Sequence, residues 1–208
     1  MLAQKTKQNK ISKEILAAIA NDAVVLYDCC VHTLSCVEGE YDDLYYHFDR
    51  REDNSLQGMC NVASNLCYDY FAPIFGKENV KVCPAHCHDL EFFDAGHYFC
   101  LLFNRYILDI TAGQFWYDDD SAMKKPSSKF LVEKENNIVF THKRNAAKMP
   151  HIYKRALFSL KSVHGVEGCD YNYAFCISSF YEDLLNRFST LKFQSELILA
   201  KEHESIPA

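Results

Sequence analysis

The sequence predicts an α+β fold in a single domain, and three observations carry that prediction. Apolar residues recur at helical spacing in the first third of the chain. The period changes to two between about residues 79 and 110, and the last third returns to helical character. The 208 residues are 49% hydrophobic and 14% aromatic, with only 7 glycines and 5 prolines, enough for one buried core and too apolar for a disordered tail. Twenty-two Lys+Arg against 28 Asp+Glu give a net charge of −6, which argues against a phosphate-tracking surface and so against nucleic acid as a partner. The longest uncharged apolar run, about Tyr98 to Phe103, falls far short of the roughly 20 residues that cross a bilayer. The start, Met1-Leu2-Ala3-Gln4-Lys5, lacks the apolar core of a signal peptide. A soluble protein with no membrane span is expected.

Residues 1–10 are polar and expected to be disordered, leaving 11–208 as the single domain. A first helix is predicted from Ile11 to about Cys30, with apolar positions at Ile15, Leu16, Ile19, Val24 and Leu26. The segment from Glu38 to Asn54 is aromatic and acidic without a clean period and reads as irregular cover. A second helix starts at Cys60, because Ala63, Leu66, Cys67, Tyr70 and Phe71 form the stripe of a core-facing helix behind the flexible lead-in of Gly58. Pro73 should end or kink it. Strands are predicted at Asn79–Cys83, His97–Phe103 and Tyr106–Ile110, the last two forming a hairpin across Asn104-Arg105, and another near Ile138–Thr141. A polar loop from Asp118 to Lys129 precedes that last strand. Helical stretches at roughly residues 151–162, 173–187 and 191–203 form a C-terminal helical extension, and no repeat period is present.

Ten cysteines invite a disulfide or zinc reading. Most read instead as small buried hydrophobes of a reducing compartment, since Cys60, Cys67 and Cys100 sit inside apolar patterns and Cys29 and Cys30 are adjacent. The run Cys83-Pro84-Ala85-His86-Cys87-His88 offers half of a zinc site. The other half, around Cys30, His32 and Cys36, has poor spacing, so no metal and no cofactor are expected. His86 and His88 read as part of a loop leading toward His97, placed to contact a substrate.

The chemistry-bearing constellation is Cys60 at a helix start, His97 at the head of a strand and Asp109 on the next strand. Unpaired backbone N–H groups at a helix N-terminus favour negative charge and therefore a thiolate. Histidine supplies the base and later the acid, and a carboxylate behind it fixes its tautomer. The segments Gln57-Gly58-Met59-Cys60-Asn61-Val62-Ala63-Ser64, Gly96-His97-Tyr98-Phe99 and Tyr106-Ile107-Leu108-Asp109-Ile110-Thr111-Ala112-Gly113-Gln114-Phe115 together resemble the papain-like and transglutaminase-like cysteine enzymes of bacteria. The resemblance covers about residues 54–116. It implies a papain-like core in which a nucleophile-bearing helix packs on a small antiparallel sheet, with Cys60 as nucleophile, His97 as base and Asp109 as orienting acid. It also implies an oxyanion donor upstream of the cysteine, for which Gln57 and Asn54 are the candidates. Gln114, Phe115 and Trp116 read as packing and strand-end contacts.

The triad makes a demand on the hairpin. A two-residue loop at Asn104-Arg105 would set Asp109 opposite Cys100 and turn it away from His97. A three-residue connection over Phe103–Arg105, or a bulge, sets Asp109 opposite Phe99 and diagonal to His97 on one face. The expected function is thiol-dependent acyl transfer at an amide bond of a protein substrate, as a thiol protease, a glutamine deamidase or a transglutaminase. The form resembles bacterial virulence effectors, so the expected locations are the cytoplasm or a host cell reached through a specialised secretion system without a cleaved signal, with a host-cell protein as substrate. The competing expectation is a non-catalytic protein-binding module, with or without zinc at Cys83–His88.

Overall fold

The computed structural model describes residues 11–36, 56, 58–90, 93–115, 127–132, 137–148 and 186. The N-terminal ten residues, the acidic segment from Glu38, most of the Asp118–Lys129 loop and, apart from Asn186, the three C-terminal helical stretches lie outside the described residues. Within them the chain is α+β, with helix α1 over Lys13–Cys36 and helix α2 over Cys60–Phe75. A four-stranded antiparallel sheet follows, with β1 over Val80–Leu90, β2 over Phe93–Leu102, β3 over Tyr106–Asp109 and β4 over Val139–His142, ordered β1-β2-β3-β4.

Helix α1 runs six residues past the predicted end at Cys30, because Cys29, Cys30 and Thr33 are all buried and Thr33 returns its hydroxyl to the Cys29 carbonyl at 2.8 Å. By length and composition Lys13–Thr33 would suffice to cross a membrane, although Asp22 and Asp28 interrupt the stretch and keep it from being an uncharged run. Its packing is that of a core helix. Ile19, Ala23, Leu26 and Cys30 are buried in the same cluster as α2, and the fully buried Asp22 accepts a hydrogen bond from the Tyr70 hydroxyl at 3.0 Å.

Helix α2 begins at Cys60, as its apolar stripe predicts, and continues past Pro73 to Phe75. Proline in the final turn removes only the N–H that would have met the Asp69 carbonyl, and Pro73 itself is exposed. Gly76, at φ 90°, closes the helix by donating its N–H to Ala72 at 2.9 Å. β1 is much longer than the predicted Asn79–Cys83, and it draws the backbone of His86 and His88 into a strand where a loop was expected. The cause is pairing: β2 also starts earlier, at Phe93, so each strand supplies hydrogen-bonding partners to the other through Cys87 and Ala95.

The β2–β3 register pairs Leu102 with Tyr106, Leu101 with Ile107 and Cys100 with Leu108. The connection is therefore the three residues Phe103, Asn104 and Arg105, as the triad requires. Arg105 donates its N–H to the Leu102 carbonyl at 2.9 Å, and both Phe103 and Asn104 have φ 53°. Asn tolerates that left-handed region, but Phe does not, so something must hold it there. The Phe103 N–H donates to the Asn79 carbonyl at 2.6 Å, its ring meets Phe75 edge-on at 5.0 Å, and the Asn79 side chain in turn donates to the Phe75 carbonyl at 2.9 Å. The end of α2 thus anchors the turn that sets the register.

Apolar side chains cover both faces of the sheet. Val80, Val82, Cys100, Leu102 and Leu108 join α1 and α2 on one side, and Cys83, Phe99, Leu101, Ile107 and Val139 join Phe115, Phe130 and Ala146 on the other. Each large side chain so buried contributes roughly 1.5–3 kcal/mol. The cross-tie between α1 and α2 gives a direct prediction. Tyr70→Phe keeps the ring and strips the buried Asp22 of one donor, so urea denaturation should show a loss of about 1–3 kcal/mol.

Candidate functional site

His97 lies on β2, paired with Ala85 of β1, and its side chain is fully buried. The Phe115 ring meets the imidazole edge-on at 4.6 Å and Phe99 lies at 6.5 Å, so apolar walls fix the ring plane. Asp109 closes β3, and the three-residue turn sets it diagonal to His97. The carboxylate Oδ2 meets His97 Nε2 at 2.6 Å. Its other oxygen, Oδ1, accepts from the Thr111 N–H at 2.9 Å and the Thr111 hydroxyl at 3.0 Å. A buried charge needs such partners, and here both oxygens have them.

Cys60 is the first residue of α2. Met59 before it supplies no side-chain cap, and the first intrahelical bond runs from Ala63 N–H to the Met59 carbonyl at 2.9 Å. The N–H groups of Cys60, Asn61 and Val62 consequently precede the helical ladder and face the head of the helix. The Cys60 side chain acts on the His97 ring and favours its charged form. It is half-exposed, whereas Cys29, Cys30, Cys67, Cys83 and Cys100 are buried. Burial pushes the Cys30 thiol up, hydrogen bonding to Cys100 together with burial does the same for Cys67, and burial takes Cys83 to about 11. These thiols stay protonated at neutral pH and are poor nucleophiles.

The structure therefore brings together the three residues singled out in the sequence. Burial, the largest single influence on His97, disfavours its charge. The Asp109 carboxylate, by charge and hydrogen bond, and then Cys60 together outweigh burial and raise the imidazole to about 10. Gln57 and Asn54 lie outside the described residues, as do the side chains of His86 and His88 and all of Trp116.

One site residue was missed. Gln114 was read as packing, but its Nε2 donates to the Thr111 carbonyl at 2.9 Å and stands 3.4 Å from His97 Nδ1. Phe115 is a packing residue, as expected. The signal for Gln114 was its place five residues after Asp109, one short turn away. That 3₁₀ turn, Ala112–Phe115, packs so closely on Asn137 that a Cβ at Gly113 would collide with the Asn137 amide, and the Gly113 N–H donates to the Asn137 carbonyl at 3.1 Å. Asn137 is tied in turn to the Tyr27 hydroxyl of α1 at 3.0 Å.

The geometry of the zinc alternative is unfavourable. Cys83 is fully buried in the apolar cluster, and the extended course of β1 puts the Cα atoms of Cys83 and Cys87 roughly 13 Å apart, too far to share one tetrahedral ion. Among the described residues no group of three or more His, Cys, Asp or Glu could hold a metal ion. Comparison with family models, with curated proteins and with solved structures finds no match to this chain.

Two outcomes follow. His97 in the folded protein titrates above its ordinary value of 6.5, so the stability that its charge contributes is complete below about pH 6.5 and is lost as pH rises through about 10. Urea midpoints compared between wild type and His97→Gln should show a wild-type advantage that shrinks across that window. Elemental analysis of protein purified without chelator should find well under one zinc per chain.

Proposed function

We propose that this chain is a cysteine-dependent acyl-transfer enzyme with a papain-like core, acting on an amide bond of a protein substrate. The observation that carries this reading is a half-exposed thiol at a helix head that acts on a buried histidine whose Nε2 is held by a carboxylate. With the Nε2 proton directed at Asp109, Nδ1 is the nitrogen that holds the proton given up by Cys60, and the resulting thiolate attacks the carbonyl carbon. The imidazolium then returns that proton to the leaving nitrogen, the C–N bond breaks, and a thioester remains on Cys60. Water resolving the thioester gives hydrolysis or deamidation, and an amine gives transglutamination. The oxyanion formed on attack faces the unpaired N–H groups at the head of α2, with Gln57 or Asn54 as candidate second donors. An effector-like role, with delivery into a host cell, rests on the resemblance of the cysteine and aspartate motifs to such proteins.

The rival reading, a binding module, makes no use of the thiol. Iodoacetamide followed by peptide mass spectrometry separates the two: Cys60 should be alkylated far faster than the other nine cysteines, and equal labelling would sink the enzyme reading. For activity, candidate host proteins treated with wild type or Cys60→Ala are compared by mass. A gain of about 1 Da marks deamidation, new termini mark proteolysis, and cross-links mark transglutamination. Cys60→Ala should lose several orders of magnitude in rate with its fold intact. Activity within tenfold of wild type would exclude Cys60 as nucleophile.

A further inference from the structure

Both nitrogens of His97 face one short stretch of chain. Asp109 holds Nε2, Thr111 holds Asp109 through two bonds, and the Thr111 carbonyl holds Gln114, whose amide nitrogen returns to Nδ1. The orientation of that amide follows from chemistry. Turning it over would set Oε1 against the Thr111 carbonyl oxygen, two acceptors with no hydrogen between them. The amide nitrogen, with two hydrogens and no acceptor capacity, therefore uses one on Thr111 and directs the other at Nδ1. A donor facing Nδ1 is satisfied only when that nitrogen carries a lone pair.

We infer that Gln114 is a positioning residue that favours neutral His97, protonated on Nε2, and so restrains the thiolate–imidazolium pair. The inference rests on the proposed triad. When Nδ1 takes the thiol proton, its new N–H can serve the Cys60 sulfur, but it also confronts the Gln114 N–H. The amide must then swing off Nδ1, which frees a donor beside the nucleophile for a carbonyl oxygen of the substrate. Gln114 thus weakens the bias of the resting pair toward its charged form, and occupancy of the site lifts that restraint.

The titratable groups facing His97 among the described residues are Asp109 from β3 and Cys60 from α2, with Cys67 of α2 beyond Asp109; Phe99 and Phe115 do not titrate. Asp109 and Cys60 favour the imidazolium, and Gln114 opposes them. At 3.4 Å the opposing contact is long, so its effect should be roughly half to one pH unit.

The test follows the rate of Cys60 alkylation by iodoacetamide against pH in the full chain, for wild type, His97→Gln, Gln114→Met and Gln114→Leu. Met keeps the length and removes the donor, so the midpoint should fall by roughly half to one unit. Leu removes the donor with a shorter apolar side chain and should lower it as well. A residue that only packed would change the rate with no change of midpoint. An unmoved or raised midpoint in either folded Gln114 variant overturns the inference while leaving the triad intact, and the two variants guard against one failing to fold. Unselective labelling of Cys60, or a midpoint insensitive to His97→Gln, overturns the triad and the inference with it.

Discussion

Asp109 reaches His97 because the connection between β2 and β3 carries three residues. Side chains alternate along a strand, so removing one residue of offset would send Asp109 to the other face, against the apolar packing of Leu108 and Cys100, and leave His97 buried without its carboxylate. Holding Phe103 in left-handed backbone costs on the order of 1 kcal/mol or more. The cost is offset by the hydrogen bond to Asn79 and the contact with Phe75, both at the far end of the helix that carries Cys60. Register and the placement of Cys60 therefore share a support.

A second set of ties fixes the remaining side of the site. The Cys100 thiol donates to the Ser64 carbonyl at 3.2 Å, one turn into α2, and locks that helix to the strand bearing His97. Tyr27 of α1, through Asn137 and Gly113, supports the turn that carries Gln114. No one of these contacts is strong. Each is buried or half-buried, so loosening one leaves an unsatisfied polar group, and that penalty is what keeps the arrangement in place.

Much of this was legible in the residues. The stripe Ala63, Leu66, Cys67, Tyr70 and Phe71 fixes α2 because a helical period admits one buried face, and the triad's geometry picks the odd-numbered turn from two allowed hairpins. The long β1 was not legible. Its second half, Ala85–Leu90, contains proline nearby, two histidines and an aspartate, a composition that reads as loop, and only pairing with β2 makes it a strand. The extent of α1 was hidden for a similar reason, since the burial of Thr33 and Asp22 depends on partners elsewhere in the fold. Gln114 was hidden because a side chain five residues from Asp109 can return to His97 only if the intervening turn is tight, and that tightness depends on Asn137.

The anchoring of the Phe103 turn on Phe75 and Asn79 also bears on the order in which the chain assembles. Residues 60–109 hold α2, β1, β2 and β3 in unbroken succession, joined by Gly76–Asn79 and by turns of a few residues. The hairpins close within microseconds, and the helix needs only a short loop to dock on them. Such a stretch has the character of a cooperative unit that forms early, with β4 and α1 added to its edge and back. Cys60, His97 and Asp109 all lie inside it, whereas Asn137, which steadies Gln114, arrives from outside. The nascent structure would then pass through a stage in which the thiol and imidazole have met before the Gly113 turn has its support.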